Sequence, residues 1–242
     1  MRLSGPASIA LLLSLAAISP APAGDAAGLE ILGFSADGGV FAFEEYGVQD
    51  GSGFPYSNRY YIRTEDDTFV PGTPVRVRLE DESATLEAAR SQAREQGEDT
   101  VPEAELNANR GFTAGLNPVT ELSADPSRLV AGPRPVFPPI DAPLEFRLEE
   151  IPFGETAACP GLGGISGFRL LRVHAAAGGV TELLHEDRSV PQSRGCPLGY
   201  ALAGVQTFSN ASGLAAYAVL IAVRRAGFEG PDHRWIAVTR RW

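Results

Sequence analysis

Tyr217-Ala218-Val219-Leu220-Ile221-Ala222-Val223 is apolar at every position. A strand turns alternate side chains to opposite faces, so an unbroken apolar run buries both and belongs in the interior of a sheet. The run lies within Ala215–Arg225. Tyr200–Phe208 precedes it across Ser209-Asn210-Ala211-Ser212-Gly213, a polar turn that makes the pair a hairpin. Arg234-Trp235-Ile236-Ala237-Val238-Thr239 closes the chain as a further strand. Towards the N-terminus, Phe168–His174 and Val180–His185 flank Ala175-Ala176-Ala177-Gly178-Gly179, a second hairpin, and Leu144–Leu148 alternates apolar with charged.

The N-terminal part has the same texture. Leu29–Phe34 and Val40–Tyr46 flank Ser35-Ala36-Asp37-Gly38-Gly39, and an Asp-Gly between apolar runs is the strongest short-range hairpin signal. The sequence predicts a loop over Gly47–Ser57, then short strands at Arg59–Arg63 and Val75–Leu79. From about 81 to 109 the composition turns helical: Leu86, Ala89 and Ala93 recur at helix spacing, with Asp81 or Ser83 to cap the start and Gly97 the end. Residues 110–143 are rich in proline, including Pro133, Pro135, Pro138, Pro139 and Pro143, and read as an extended connector. About ten strands and one or two helices give a mainly β (α+β) fold: an antiparallel β-sandwich or barrel-like domain with a helical insertion. The segment Gly33–Phe43 is echoed by Gly227–Val238, as in two equivalent hairpins that bring the chain ends together. An incomplete β-propeller is the alternative, although no repeat recurs through the middle of the chain.

The first residues direct export. Arg2 is the positive n-region, Ile9–Ile18 the apolar h-region, and Ala21-Pro22-Ala23 a small-x-small cleavage site, so residues 1–23 read as a signal peptide and 24–242 as one exported domain. The h-region is about ten residues, half of what spans a bilayer, and no stable membrane insertion is expected after cleavage. The cations are all arginine, and the net charge of −10 repels nucleic acid and anionic lipid. The only cysteines, Cys159 and Cys196, are expected to pair in an oxidising compartment, closing a span that stabilises by roughly 4 kcal/mol.

The run Phe41-Ala42-Phe43-Glu44-Glu45-Tyr46-Gly47-Val48-Gln49-Asp50-Gly51-Ser52-Gly53-Phe54-Pro55-Tyr56-Ser57 resembles the signature of a family of predicted secreted bacterial proteins, domain of unknown function 2259. Gly72–Val77, Ser193–Tyr200 and Gly227–Asp232 are similar to further segments of it. The resemblance implies export in a Gram-negative bacterium, hence a periplasmic or secreted location. It carries no activity and no catalytic residues.

The same loop is the candidate binding site. Glu44, Glu45 and Asp50 supply acids, and Phe54, Tyr56, Tyr60 and Tyr61 flat apolar surfaces, the combination with which a cleft holds a sugar or a cation. Glu44 and Glu45 point to opposite faces of a strand and cannot work as a pair. No zinc motif, EF-hand, nucleophile elbow or lysine phosphate loop occurs, so no metal, cofactor or catalytic residue is assigned. His174 and His185 are placed to face each other across the second hairpin. Glu65-Asp66-Asp67 reads as a solvated turn, and Arg194 offers its planar fork to a carboxylate. The expected role is a non-catalytic binding module for an envelope protein or glycan. The alternatives are a hydrolase of envelope saccharide using Glu45 and Asp50, and a purely structural envelope protein.

Overall fold

The computed structural model describes residues 24–174 and 178–242; the signal-peptide reading of 1–23 lies outside them. The chain forms three antiparallel sheets stacked face to face, with two helices on the outside. The first sheet contains β1 (Gly28–Phe34), β2 (Val40–Val48), β3 (Pro55–Arg63), β4 (Thr68–Phe69) and β5 (Val75–Arg78), with β4 and β5 both paired to β3. Helices α1 (Leu86–Gly97) and α2 (Glu103–Ala108) follow, then β6 (Phe112–Leu116). The strands β7 (Arg128–Ala131), β8 (Leu144–Gly154), β9 (Ile165–Val173) and β10 (Glu182–Glu186) make a second sheet. β11 (Pro197–Asn210), β12 (Gly213–Arg225) and β13 (Asp232–Arg241), with β6 on the far edge, make the third.

The third sheet is the middle layer, and β12 shows why. Tyr217, Val219, Ile221 and Val223 point into a core shared with Phe146, Leu148, Phe168 and Leu170 of the second sheet. Ala216, Ala218, Leu220 and Ala222 point the other way, into a core shared with Phe34, Phe41, Phe43, Tyr60 and Ile62 of the first. Large rings oppose small residues, so the layers interdigitate at the density of a close-packed interior. Phe208, Phe34, Phe41, Phe43, Tyr60 and Phe69 form a continuous aromatic row, with centroids 4.6–6.1 Å apart. Each buried ring of this kind stabilises by about 1.5–3 kcal/mol.

A third core covers the opposite face of the first sheet. Leu32, Ala42, Tyr61, Val75 and Val77 pack against Ala89 and Ala93 of α1 and Leu106 of α2. Helix α1 starts at Thr85, whose side chain accepts the Ala88 N–H, and not at Asp81 or Ser83. It runs through Gly97, where a Cβ would lie 2.1 Å from the Tyr61 hydroxyl.

The architecture is thus layered, with no closed barrel. The sheet order in space differs from the order in the chain, because the last sheet lies between the other two; propeller blades follow one another in sequence. The Pro-rich segment is more ordered than its composition suggests, since it yields the short edge strands β6 and β7. Likewise β3 begins at Pro55, so the predicted 47–57 loop shrinks to a hairpin turn within 49–54. Cys159 and Cys196 are joined in a disulfide. His185 pairs across the β9–β10 ladder with Leu170, not with His174. Gly33–Phe43 lies in the β1–β2 hairpin, and its echo Gly227–Val238 spans the loop and second strand of another, β12–β13, where Ala26 bridges His233 and the described N-terminal end joins the C-terminal strand.

Candidate functional site

The strand alternation of β2 and β3 divides the predicted site residues between two faces. Glu44 and Tyr61 turn outward beneath α1 and are completely buried. Glu44 accepts hydrogen bonds from Ser57 (2.9 Å), Arg90 Nε (2.8 Å) and Arg59 (3.2 Å), and Arg59 also holds Glu103 of α2 (2.6 Å). This network ties the helical insertion to the sheet and gives Glu44 no access to a ligand. Asp50 accepts the Glu229 N–H (3.0 Å) and links the β2–β3 turn to the β12–β13 connection. Phe54 lies half-buried in the same turn.

Glu45, Tyr56 and Tyr60 turn inward and line a cleft of about 650 Å³ beside β13. One wall is the inner face of β3–β5, including Asn58, Phe69, Arg76 and Arg78; the other holds Phe168 of β9, His185 of β10 and the turn Pro191–Arg194. The floor is β13 itself, from Arg234 to Val238. The cleft therefore lies where the central sheet stops while its two neighbours continue.

The carboxylates of the cleft are engaged. Glu45 accepts the Trp235 N–H (3.0 Å), the Tyr60 hydroxyl (2.8 Å) and the Asn58 amide (3.0 Å). Asp67, at the β3–β4 turn, accepts the Thr239 N–H (2.7 Å) and hydroxyl (3.0 Å). Both acids cap free N–H groups along the open edge of β13, which pairs on its other side with β12. Burial pushes the Asp67 carboxyl above its ordinary range, against the pull of the Thr239 hydrogen bonds and of the Arg240 and His185 charges. On the far wall, Arg194 pairs with Asp187, which also accepts the Phe168 N–H and faces His185 Nε2. Burial raises Asp187, but the hydrogen bonds from His185, Arg194 and Phe168 outweigh it and hold the carboxyl below its usual value.

The aromatic faces are engaged as well. Tyr60 stacks on Phe43 at 4.6 Å and carries Arg76 over its ring at 5.6 Å. Phe168 lies against His185 at 4.6 Å and against Arg194 at 4.9 Å. Tyr56 donates to Asp25 (3.0 Å) beneath the Arg234 guanidinium. These rings pack between layers, so the expected open aromatic platform is limited to Phe69, which is about half exposed.

Sequence reasoning missed Arg76, Arg78 and Trp235, and it read Asp67 as part of a solvated turn, whereas its carboxylate turns inward to cap Thr239. The signal for the arginines was present in Val75-Arg76-Val77-Arg78, whose alternation puts both on one face; only the tertiary structure makes that face a cleft wall. Among the described residues no group of three potential metal ligands gathers, and no helix is long and apolar enough to cross a membrane. No curated protein and no solved structure matches the chain. The family model for domain of unknown function 2259, described as a predicted secreted protein, matches residues 42–241, and the chain belongs to that family.

Proposed function

We propose that the protein is a periplasmic, non-catalytic binding module that holds an envelope component, protein or glycan, in the cleft beside β13. The observation that carries this reading is a 650 Å³ cleft built jointly by all three sheets, whose carboxylates are already committed as hydrogen-bond acceptors. That volume falls within the range of about 300–1,000 Å³ typical of ligand sites. The signal-peptide pattern read in residues 1–23 and the Cys159–Cys196 disulfide support an oxidising, extracytoplasmic location. A glycosidase needs two carboxyl groups flanking one bond, about 5–10 Å apart. Glu45 is held by three donors, and Asp50 lies outside the cleft lining on a backbone amide, so the geometry gives the hydrolase reading no acid pair.

The test is crosslinking and co-purification from the native envelope with Arg76→Glu and Ser193→Trp, two changes at exposed positions of the cleft mouth. Both variants are expected to fold as the parent does and to lose material that the parent retains. An identical captured set from parent and variants overturns the binding reading and leaves the structural one.

A further inference from the structure

We infer that the cleft takes an extended peptide segment carrying an acidic side chain, added as a short strand beside β13. This rests on the binding-module reading and specifies its ligand.

The edge of β13 gives the first reason. In an antiparallel ladder the N–H and C=O of alternate residues point to the same side. The N–H groups of His233, Trp235 and Thr239 point away from β12, because they are taken by the Asp25 carbonyl, Glu45 and Asp67 respectively. Ala237 shares that side and lines the cleft, and no acceptor among the described residues caps its N–H. Its N–H and C=O are an open pairing site between two carboxylate plugs.

The second reason is the shape of the space. The cleft continues the middle layer between two flanking sheets, so an occupant beside β13 sits about 4.8 Å from it, in the place of the next strand. From Trp235 to Thr239 is about 13 Å at a strand's rise of roughly 3.3 Å per residue. Glu45 and Asp67 close its two ends, so about three residues of the guest lie beside the strand there and pair through Ala237, with its ends leaving the cleft. Main-chain pairing then gives affinity and side-chain contacts give specificity, as in other strand-addition complexes.

The third reason is charge. Arg78, Arg194, Arg225 and Arg234 each have a carboxylate partner. Arg76 has none among the described residues, and it is exposed on the cleft wall over Tyr60. Beside the open Ala237 backbone, the unspent charge here is the Arg76 guanidinium, and an unpaired guanidinium fork matches a carboxylate. The net charge of −10 opposes an anion at long range, but that repulsion is screened beyond about 10 Å at 0.1 M salt, whereas the contact is not. A glycan is disfavoured because the Tyr60 and Phe168 faces it would stack on are already covered by Arg76, Arg194 and neighbouring rings.

The test uses the full exported chain with end-blocked pentapeptide pools, each holding Glu, Gln or Lys at a fixed central position. The Glu pools are expected to bind at least tenfold more tightly than the Gln pools, and Arg76→Gln to erase that preference. The Ala237 amide is expected to exchange at least tenfold more slowly in the bound state, and N-methylation of the guest backbone to abolish binding. No binding by any pool, or binding that leaves Ala237 exchange unchanged, overturns strand addition. Binding of an acidic tri-uronate in place of the peptides overturns the peptide class. If peptides fail while Arg76→Glu still loses its captured partner, the peptide inference falls and the binding-module reading stands.

Discussion

Asp67 is the one non-glycine residue among those described with a left-handed backbone, at φ 57°. Asn and Asp tolerate that region better than most residues, and here the conformation aims the carboxylate at Thr239. Because burial raises its pKa above the unfolded value, the folded protein binds this proton more tightly than the unfolded chain. The resulting stability is complete below the ordinary carboxyl pKa of 3.8 and is lost as pH rises through the folded value. Asp67→Asn keeps the acceptor without the charge. It is expected to match or exceed the parent in urea midpoint at pH 7, with the difference vanishing near pH 4. Asp67→Ala leaves Thr239 uncapped and the left-handed backbone strained, and is expected to cost about 2–4 kcal/mol. A parent whose advantage over the Asn variant grew with pH would contradict the burial argument. Gly97→Ala gives the opposite of the helix-propensity expectation. Alanine gains about 1 kcal/mol over glycine in a helix interior and less at Gly97, the last residue of α1, and the buried Tyr61 hydroxyl occupies the space, so a lower melting temperature is expected. At this scale the sequence told Glu44 and Glu45 apart by face. It did not say that one face meets arginines under a helix and the other caps a strand edge, because those partners lie far along the chain.

At the scale of elements, the predicted hairpins at 35–39 and 209–213 join β1–β2 and β11–β12, since turn chemistry and period-two patterning act locally; β9 and β10 pair antiparallel as expected, with 175–177 of the turn between them outside the described residues. Strands β6 and β7 were not legible. Each is only four or five residues long, and β6 gains its stability from pairing with β11, about 90 residues away in the chain. The disulfide acts between elements: it joins the loop after β8 to the turn that carries Arg194 to the cleft wall, across a separation of 37 residues. Replacing both cysteines by serine is expected to lower stability by roughly 4 kcal/mol in the chain-entropy model. It should also speed amide exchange over 191–196 more than in β12. Uniform acceleration through the whole domain would show instead that the bond does not hold this turn locally.

For the whole molecule, the central sheet is the shared wall of two cores, so neither outer sheet has a core of its own on the inner side. That coupling predicts one cooperative transition. Trp235 is buried between the first and central sheets, whereas the helices and the second sheet contribute to far-UV circular dichroism without contacting it. In Trp242→Phe, Trp235 fluorescence and circular dichroism are expected to give the same denaturant midpoint. A second transition seen only by circular dichroism would mean that β7–β10 unfold separately.

By itself the sequence determined the class and much of the wiring: the β character, the helical insertion, the interior position of β12 and the cysteine pairing. All of these follow from periodicity, turn residues and compartment. Only the tertiary structure decided that three sheets stack with the last in the middle, that α1 covers Glu44, and that the cleft opens beside β13 with Arg76 on its wall. The physical reason is that the hydrophobic effect is non-directional: an apolar face announces that it will be buried, but not against which partner. The cleft is set by where one layer ends and its neighbours continue, a relation between strands distant in sequence that local patterning does not encode.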